Sequence, residues 1–304
     1  MSPPLLFEMP GNEALAEALF RHLEVQRGVL NVRRFPDGES AARLLSDPRG
    51  RHVVFLATLD RPDPKLVPLV LAMETARDLG AASVGLVAPY LCYMRQDRRF
   101  HPGEAVSARI VAGLLSRSID WLVTVDPHLH RIHEISEIYP VPSTVVHAAP
   151  AIADWVCANV QRPLFIGPDA ESAQWVEDVA RRADAPHVVL EKVRRGDRDV
   201  QVSVPDVERW RDHSPVLVDD IISTGRTLVE TLRHLRRAGM RPSTCVGVHA
   251  LFSGDALRAL IAADAADIVT CNTIVHETNG IDLSVYIAGA IRAHLPASSA
   301  GEAP

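Results

Sequence analysis

Lysine is almost missing from this 304-residue chain: of its 32 basic residues, only Lys65 and Lys192 are not arginine. A compact, mobile ammonium kept against such a bias points to a task that arginine's planar fork performs badly. The dipeptide Gly-Lys does not occur, which excludes a P-loop, and no two glycines are separated by a single residue. That second absence excludes the usual dinucleotide fingerprint and the glycine loop of protein kinases, so a nucleotide has to be held by another architecture. The four cysteines, Cys92, Cys157, Cys245 and Cys271, have no CxxC spacing and read as buried small hydrophobes, not as a disulfide framework or zinc site. Apolar runs such as residues 66–73 fall far short of the roughly 20 residues needed to span a bilayer. The first residues, Met-Ser-Pro-Pro-Leu-Leu-Phe-Glu, lack a basic region and a sustained apolar region, so a cytoplasmic protein is expected. A formal net charge of −6 without a basic run argues against a nucleic-acid surface.

What the chain does have is an alternation of short β-branched runs with amphipathic stretches, the pattern of an α/β fold with largely parallel sheets. Strands are expected at 53–58, 83–88, 122–125, 164–166, 188–190, 216–218, 245–250 and 268–271. Helices are expected at 13–23, 64–79, 105–117, 173–182, 226–238 and 254–262. Within 105–117, Val106, Ile110, Val111 and Leu114 are expected to share the buried face. The proline-bearing stretch 139–150 reads as a join. The expected division is therefore 1–146, 147–295 and a small, polar, disordered tail at 296–304.

The most specific segment is Val216-Leu-Val-Asp-Asp-Ile-Ile-Ser-Thr-Gly-Arg-Thr-Leu228. An apolar strand leads into two carboxylates, a Ser/Thr/Gly turn, and a helix beginning near Arg226. Backbone N–H groups, hydroxyls and the positive end of the helix dipole suit a phosphate dianion. Asp219 and Asp220, at the carboxyl end of the strand, suit a pair of ribose hydroxyls.

This loop resembles the phosphoribosyl-binding loop shared by type I phosphoribosyltransferases and ribose-phosphate pyrophosphokinases. Other segments resemble the pyrophosphokinases in order and approximate spacing: Arg33-Arg-Phe-Pro-Asp-Gly-Glu39, Ala88-Pro-Tyr-Leu-Cys-Tyr-Met-Arg-Gln-Asp97 and Asp126-Pro-His128. So do Gly167-Pro-Asp169, Glu191-Lys-Val-Arg194, His249-Ala-Leu-Phe-Ser-Gly254 and Asn272-Thr-Ile274. The resemblance implies two tandem phosphoribosyltransferase type I-like domains, the first binding ATP and the second ribose 5-phosphate. It implies transfer of the β,γ-diphosphate of ATP to ribose O1, giving AMP and phosphoribosyl pyrophosphate. By resemblance, Phe35 packs on adenine while Asp37 and Glu39 read its edge, across a subunit boundary in a dimer or larger homo-oligomer. Arg95, Gln96, Asp97 and His128 complete the implied ATP site, with His128 and Asp169 as implied Mg²⁺ ligands. Asp219, Asp220, Ser223, Thr224, Gly225, Arg226 and Thr227 are the implied sugar-phosphate residues.

Lys192 and Arg194 follow an expected strand and precede the polar segment Arg195-Gly-Asp-Arg-Asp199. Two residues apart on an extended backbone, they fall on one side of it, suited to meeting a transferring diphosphate from a mobile loop. His130 and His133 read as structural or surface residues. Some positions depart from the commonest bacterial pattern. Ser223 stands where a third aspartate is frequent, in an archaeal-like version of the loop, and Arg226 where a small residue is frequent. Asp126-Pro-His and Gly-Pro-Asp-Ala-Glu are also variant, and Glu104 alone is placed to supply the acid expected after Asp97. Two alternative readings are a phosphoribosyltransferase and a catalytically silent, regulatory homologue.

Overall fold

The computed structural model describes residues 2–168, 172–195, 199–203 and 208–296. In chain order its elements begin with β1 (Leu5–Glu8), α1 (Glu13–Phe20), β2 (Gln26–Arg27), β3 (Leu30–Arg34), β4 (Ser40–Leu44) and β5 (His52–Leu56). There follow α2 (Asp63–Asp78), β6 (Ser83–Ala88), α3 (Ser107–Ser116), β7 (Trp121–Val125), β8 (Ser143–Val146) and α4 (Ala149–Asn159). Next come β9 (Pro163–Gly167), α5 (Ala173–Arg182), β10 (His187–Val189), β11 (Glu191–Arg195), β12 (Asp199–Ser203) and β13 (Ser214–Ile222). The last elements are α6 (Arg226–Arg237), β14 (Thr244–Ala250), α7 (Ala256–Ala262), β15 (Asp267–Cys271), β16 (Asn279–Ile281) and α8 (Ser284–His294).

These elements form two compact units: the chain up to Val146 together with the stretch from Ser284, and His147–Leu283. Each unit has a six-stranded sheet, ordered β2-β1-β5-β6-β7-β8 in the first and β10-β9-β13-β14-β15-β16 in the second. Every pairing within the two sheets is parallel. Each unit also carries an antiparallel hairpin at the same place in its order, β3–β4 before β5 and β11–β12 before β13. The two orders are the same, so the chain repeats one architecture.

Central parallel strands are covered on both faces, which is why Val53, Val54, Phe55 and Leu56 are all buried, as are Leu164, Phe165 and Ile166. Around β13, the side chains of Leu217, Ile222, Leu228, Leu232, Leu235 and Leu260 form a common core. Each such side chain contributes about 1.5–3 kcal/mol by leaving water.

Five features differ from the sequence expectations. The join at 139–150 contains β8, the edge strand of the first sheet. The second domain does not extend to 295, because α8 belongs to the first unit, against α1, β7 and β8. Its apolar face buries Ile287, Ala288 and Ile291, and His294 stacks on Trp121 at 4.8 Å. Neither α4 nor α8 was among the expected helices; α4 lies in the second unit, as the boundary at 146/147 implies, against α5 and β16. The buried face of α3 is Ala108, Val111, Ala112 and Leu115, while Ile110 and Leu114 are exposed; the two alanines allow this face to sit close to its neighbours. Cys157 is exposed, unlike the other three cysteines, and none of the four is in a disulfide. Apart from Pro296, the expected tail at 296–304 lies outside the described residues.

Candidate active site

Strand β13 sits third in its sheet, where the strand order reverses between β9 and β13. Ligands of open α/β sheets occupy the crevice at such a reversal, beyond the strands' carboxyl ends. On one side β13 pairs with β9 from Ser214 to Leu217; on the other its pairing with β14 continues to Ile222. Asp219 and Asp220 therefore lie inside the strand and not after it, half-buried, and past the last residue paired to β9.

The strand then turns through Ser223, Thr224 and Gly225 into α6. Gly225 is buried with φ of 66°, a left-handed conformation that a side chain disfavours. Gly225, at the N-cap of α6, has no side chain to accept from the first-turn amides. Thr224 and Arg226 are exposed at this turn, and Ser223 and Thr227 are half-buried. The loop rests on the one after β14: Phe252 N–H donates to the Ile222 carbonyl at 2.8 Å, and the Ser223 and Ser253 hydroxyls lie 3.3 Å apart. Phe252 has φ of 34° and its ring stacks on His276 at 4.4 Å.

Below this loop, His249 is buried, its Nδ1 2.9 Å from the Thr273 hydroxyl, which donates to the Val248 carbonyl at 2.8 Å. With the hydroxyl proton committed to Val248, the His249 ring donates from Nδ1. Asn272 braces the neighbouring connection, donating to Asp282 at 2.7 Å and accepting from Leu283 N–H at 2.9 Å. Lys192 and Arg194 lie on β11, opposite Val202 and Val200 of β12, and β12 runs beside α6. Asp169 lies outside the described residues.

In the first unit, two loops leave the carboxyl ends of the adjacent strands β6 and β7. The first passes through Tyr93, with φ of 61°, to exposed Arg95 and Gln96. Tyr93 O–H donates to Asp63, and chiefly for that reason its pKa is pushed up to about 12. Gln96 Oε1 accepts from the Ser107 hydroxyl at 2.6 Å, fixing the loop to the start of α3. The second loop passes through buried Asp126, with φ of 28°, to half-buried His128.

Asp97 turns its carboxylate inward, 3% exposed, onto Arg131. Arg131 donates from its backbone N–H at 3.1 Å and from Nη1 at 3.1 and 3.3 Å. Burial raises the Asp97 pKa, but these bonds and the nearby charges of Arg131 and His130 outweigh it and hold the carboxyl below its usual range. Glu104 caps its own loop, accepting from Phe100 and His101 N–H at 2.9 Å.

Phe35, Asp37 and Glu39 occupy the exposed turn of the β3–β4 hairpin, closed by Phe35 N–H to the Glu39 carbonyl at 2.7 Å. Arg33 covers the Phe35 ring at 4.7 Å. The hairpin lies against α2, and a cavity of about 300 Å³ between them is lined by Arg34, Glu39, Asp63 and Val67 among others. Among the described residues no hydrogen bond or ion pair joins this turn to Arg95–Asp97. Burial pushes the thiols of Cys92 and Cys245 up to about 12, which keeps them protonated. Sequence reasoning missed Arg131 and Tyr93, whose roles come from tertiary contacts, and Ser253, which lay inside a quoted segment without a role.

The profile of the N-terminal domain of ribose phosphate pyrophosphokinase matches residues 5–118, and that of the phosphoribosyl transferase domain residues 135–287. The ribose-phosphate pyrophosphokinase of Methanopyrus kandleri is 31% identical over 281 residues, covering 91% of this chain and 94% of that protein. That of Saccharolobus solfataricus is 33% identical over 261 residues, covering 85% and 89%. The crystal structure of phosphoribosylpyrophosphate synthetase from Mycobacterium smegmatis superposes with a TM-score of 0.86 over 96% of this chain and 99% of the other, at 23% identity, and so shares the fold. On its sequence kinship across both domains, this chain belongs to the ribose-phosphate pyrophosphokinase family.

Proposed function

We propose that this protein transfers the β,γ-diphosphate of ATP to O1 of ribose 5-phosphate. The O1 oxygen bonds to the β-phosphorus, the bond from that phosphorus to the α,β-bridging oxygen breaks, and AMP leaves as the O1 proton is lost. The observation that carries the reading is the β13–α6 loop at the strand-order reversal, within a chain belonging to this family over both units.

The 5-phosphate sits on the loop 223–227, where the first-turn amides of α6 and the hydroxyls of Ser223, Thr224 and Thr227 donate to it. Arg226 adds a charge at the same helix end. Asp219 and Asp220 accept from the ribose hydroxyls. Lys192 and Arg194 meet the diphosphate, where phosphoryl-type transfer depends on positioning and charge stabilisation. Arg95 and Gln96 hold the nucleotide, and Asp97 acts within the same loop. Phe35, Asp37 and Glu39 serve the adenine of a neighbouring copy, making the working form a homo-oligomer, dimer or larger. Their exposure on a turn without bonds to Arg95–Asp97 among the described residues supports that assignment.

Magnesium fits as an ion carried by the triphosphate, because Mg²⁺ keeps waters and phosphate oxygens and needs few protein contacts. Half-buried His128, two residues after buried Asp126, suits such an outer contact, and it and Asp169 are each implied as ligands by the family resemblance. When bound, Mg²⁺ neutralises phosphate charge. The compartment proposed is the cytoplasm, in keeping with four cysteines outside any disulfide.

The test is a product assay with purified protein, ATP, Mg²⁺ and ribose 5-phosphate. AMP formed in equal amount with phosphoribosyl pyrophosphate is the expected result. ADP as the nucleotide product contradicts the reading, and no turnover with phosphate supplied points to a regulatory homologue.

A further inference from the structure

We infer that Asp97 and Arg131 form a clamp that positions the two nucleotide-contacting loops of the first unit, an inference that rests on the function proposed above. The loop after β6 carries Arg95 and Gln96, and the loop after β7 carries His128. Their parent strands are adjacent and parallel, so both loops leave the same edge of the sheet. The first loop is fixed at its own base, by Tyr93 to Asp63 and by Ser107 to Gln96. Those bonds do not set its distance to the second loop. Asp97 and Arg131 do, across 34 residues of sequence.

The clamp is specific in three respects. The carboxylate is 3% exposed, so it is withdrawn from a ligand in solvent and committed to the protein. It accepts from both the backbone and the guanidinium of Arg131, which fixes the path of the second loop as well as one side chain. Removing either partner leaves an uncompensated charge or a buried polar group, so the pair acts as a unit. Upstream of each partner the backbone is left-handed, at Tyr93 and Asp126. Such conformations persist where the surroundings over-determine them. Asp97 is therefore a positioning residue acting through Arg131, and Arg95, Gln96 and His128 are the groups it places.

The experiment compares the full-length protein with Asp97→Asn, Arg131→Gln and the double variant, varying each substrate at saturation of the other. Each single change should raise the KM for ATP about tenfold while leaving that for ribose 5-phosphate within about twofold, since misplaced loops weaken one substrate's site only. The double variant should be no worse than the worse single one, and Arg131→Lys should recover part of the loss. Arg131 is 38% exposed, so Arg131→Gln carries the test even where Asp97→Asn fails to fold. Unchanged constants, equal rises for both substrates, or multiplying effects in the double variant would overturn the clamp. Absence of wild-type turnover is visible before any variant is made; it defeats the functional reading and takes this inference with it.

Discussion

Ser253 donates its backbone N–H to the carbonyl of Ser223 at 3.0 Å, so the loop after β14 carries the loop that opens α6. The ideal Cβ position at Gly225 lies 3.6 Å from Ala256 and Leu260, an ordinary contact, so space is not what demands glycine there. Its φ of 66° is. Gly225→Ala should cost about 1–2 kcal/mol of stability from the left-handed backbone alone. It should also raise the KM for ribose 5-phosphate more than that for ATP. A melting curve and the two Michaelis constants check this; an unchanged constant for the sugar would remove the loop from that site.

Arg226 is exposed at the first position of α6, where its charge would meet the sugar phosphate proposed for the helix amides. Arg226→Gly should raise the KM for ribose 5-phosphate by about three- to tenfold, the size of one solvent-screened, charge-assisted contact. A lower constant would mean that the side chain crowds the site.

Lys192→Ala and Arg194→Ala should each lower turnover by about two orders of magnitude or more, the scale seen when a group stabilising transition-state charge is lost. ATP binding, measured by titration without the sugar, should remain largely intact. Near-normal turnover in either variant would remove that residue from the mechanism.

His294 offers a test of how α8 is held. Burial lowers its imidazole below the ordinary value; the ring stacks on Trp121 and shares a 2.8 Å hydrogen bond with Thr144. A folded-state pKa below the unfolded one contributes stability above the unfolded value and loses it as pH falls through the folded value. Docking of α8 should therefore weaken as pH drops below about 6.5, the ordinary imidazole value. His294→Phe keeps a ring on Trp121 without a titrating group. Its melting temperature should fall less than that of the wild type between about pH 7 and pH 5.5. Parallel profiles would assign the acid sensitivity to other groups.

Much of the fold was legible in the sequence because parallel strands buried on both faces read as continuous apolar runs. Strand β6 and helix α5 span the residues expected, 83–88 and 173–182. Strand β8 was hidden because its short run lies among prolines and has no local signal apart from its pairing with β7. The assignment of α8 to the first unit, away from its neighbours in sequence, is non-local, and no periodicity encodes it. The register of α3 was misjudged because two alanines, weakly hydrophobic by composition, occupy the buried face in place of Ile110 and Leu114. The β13–α6 loop was the most legible part of the site because strand, turn and helix chemistry are contiguous there. The Asp97–Arg131 pair was not, since nothing in the string Arg-Gln-Asp announces a partner in another loop.

The most direct test of the central claim follows the diphosphate itself, using ATP labelled at its γ-phosphate with Mg²⁺ and ribose 5-phosphate. Label should appear in phosphoribosyl pyrophosphate while unlabelled AMP accumulates in equal amount, and both should be lost in Lys192→Ala. Label in a sugar phosphate carrying a single new phosphate, with ADP as the nucleotide product, would contradict the account.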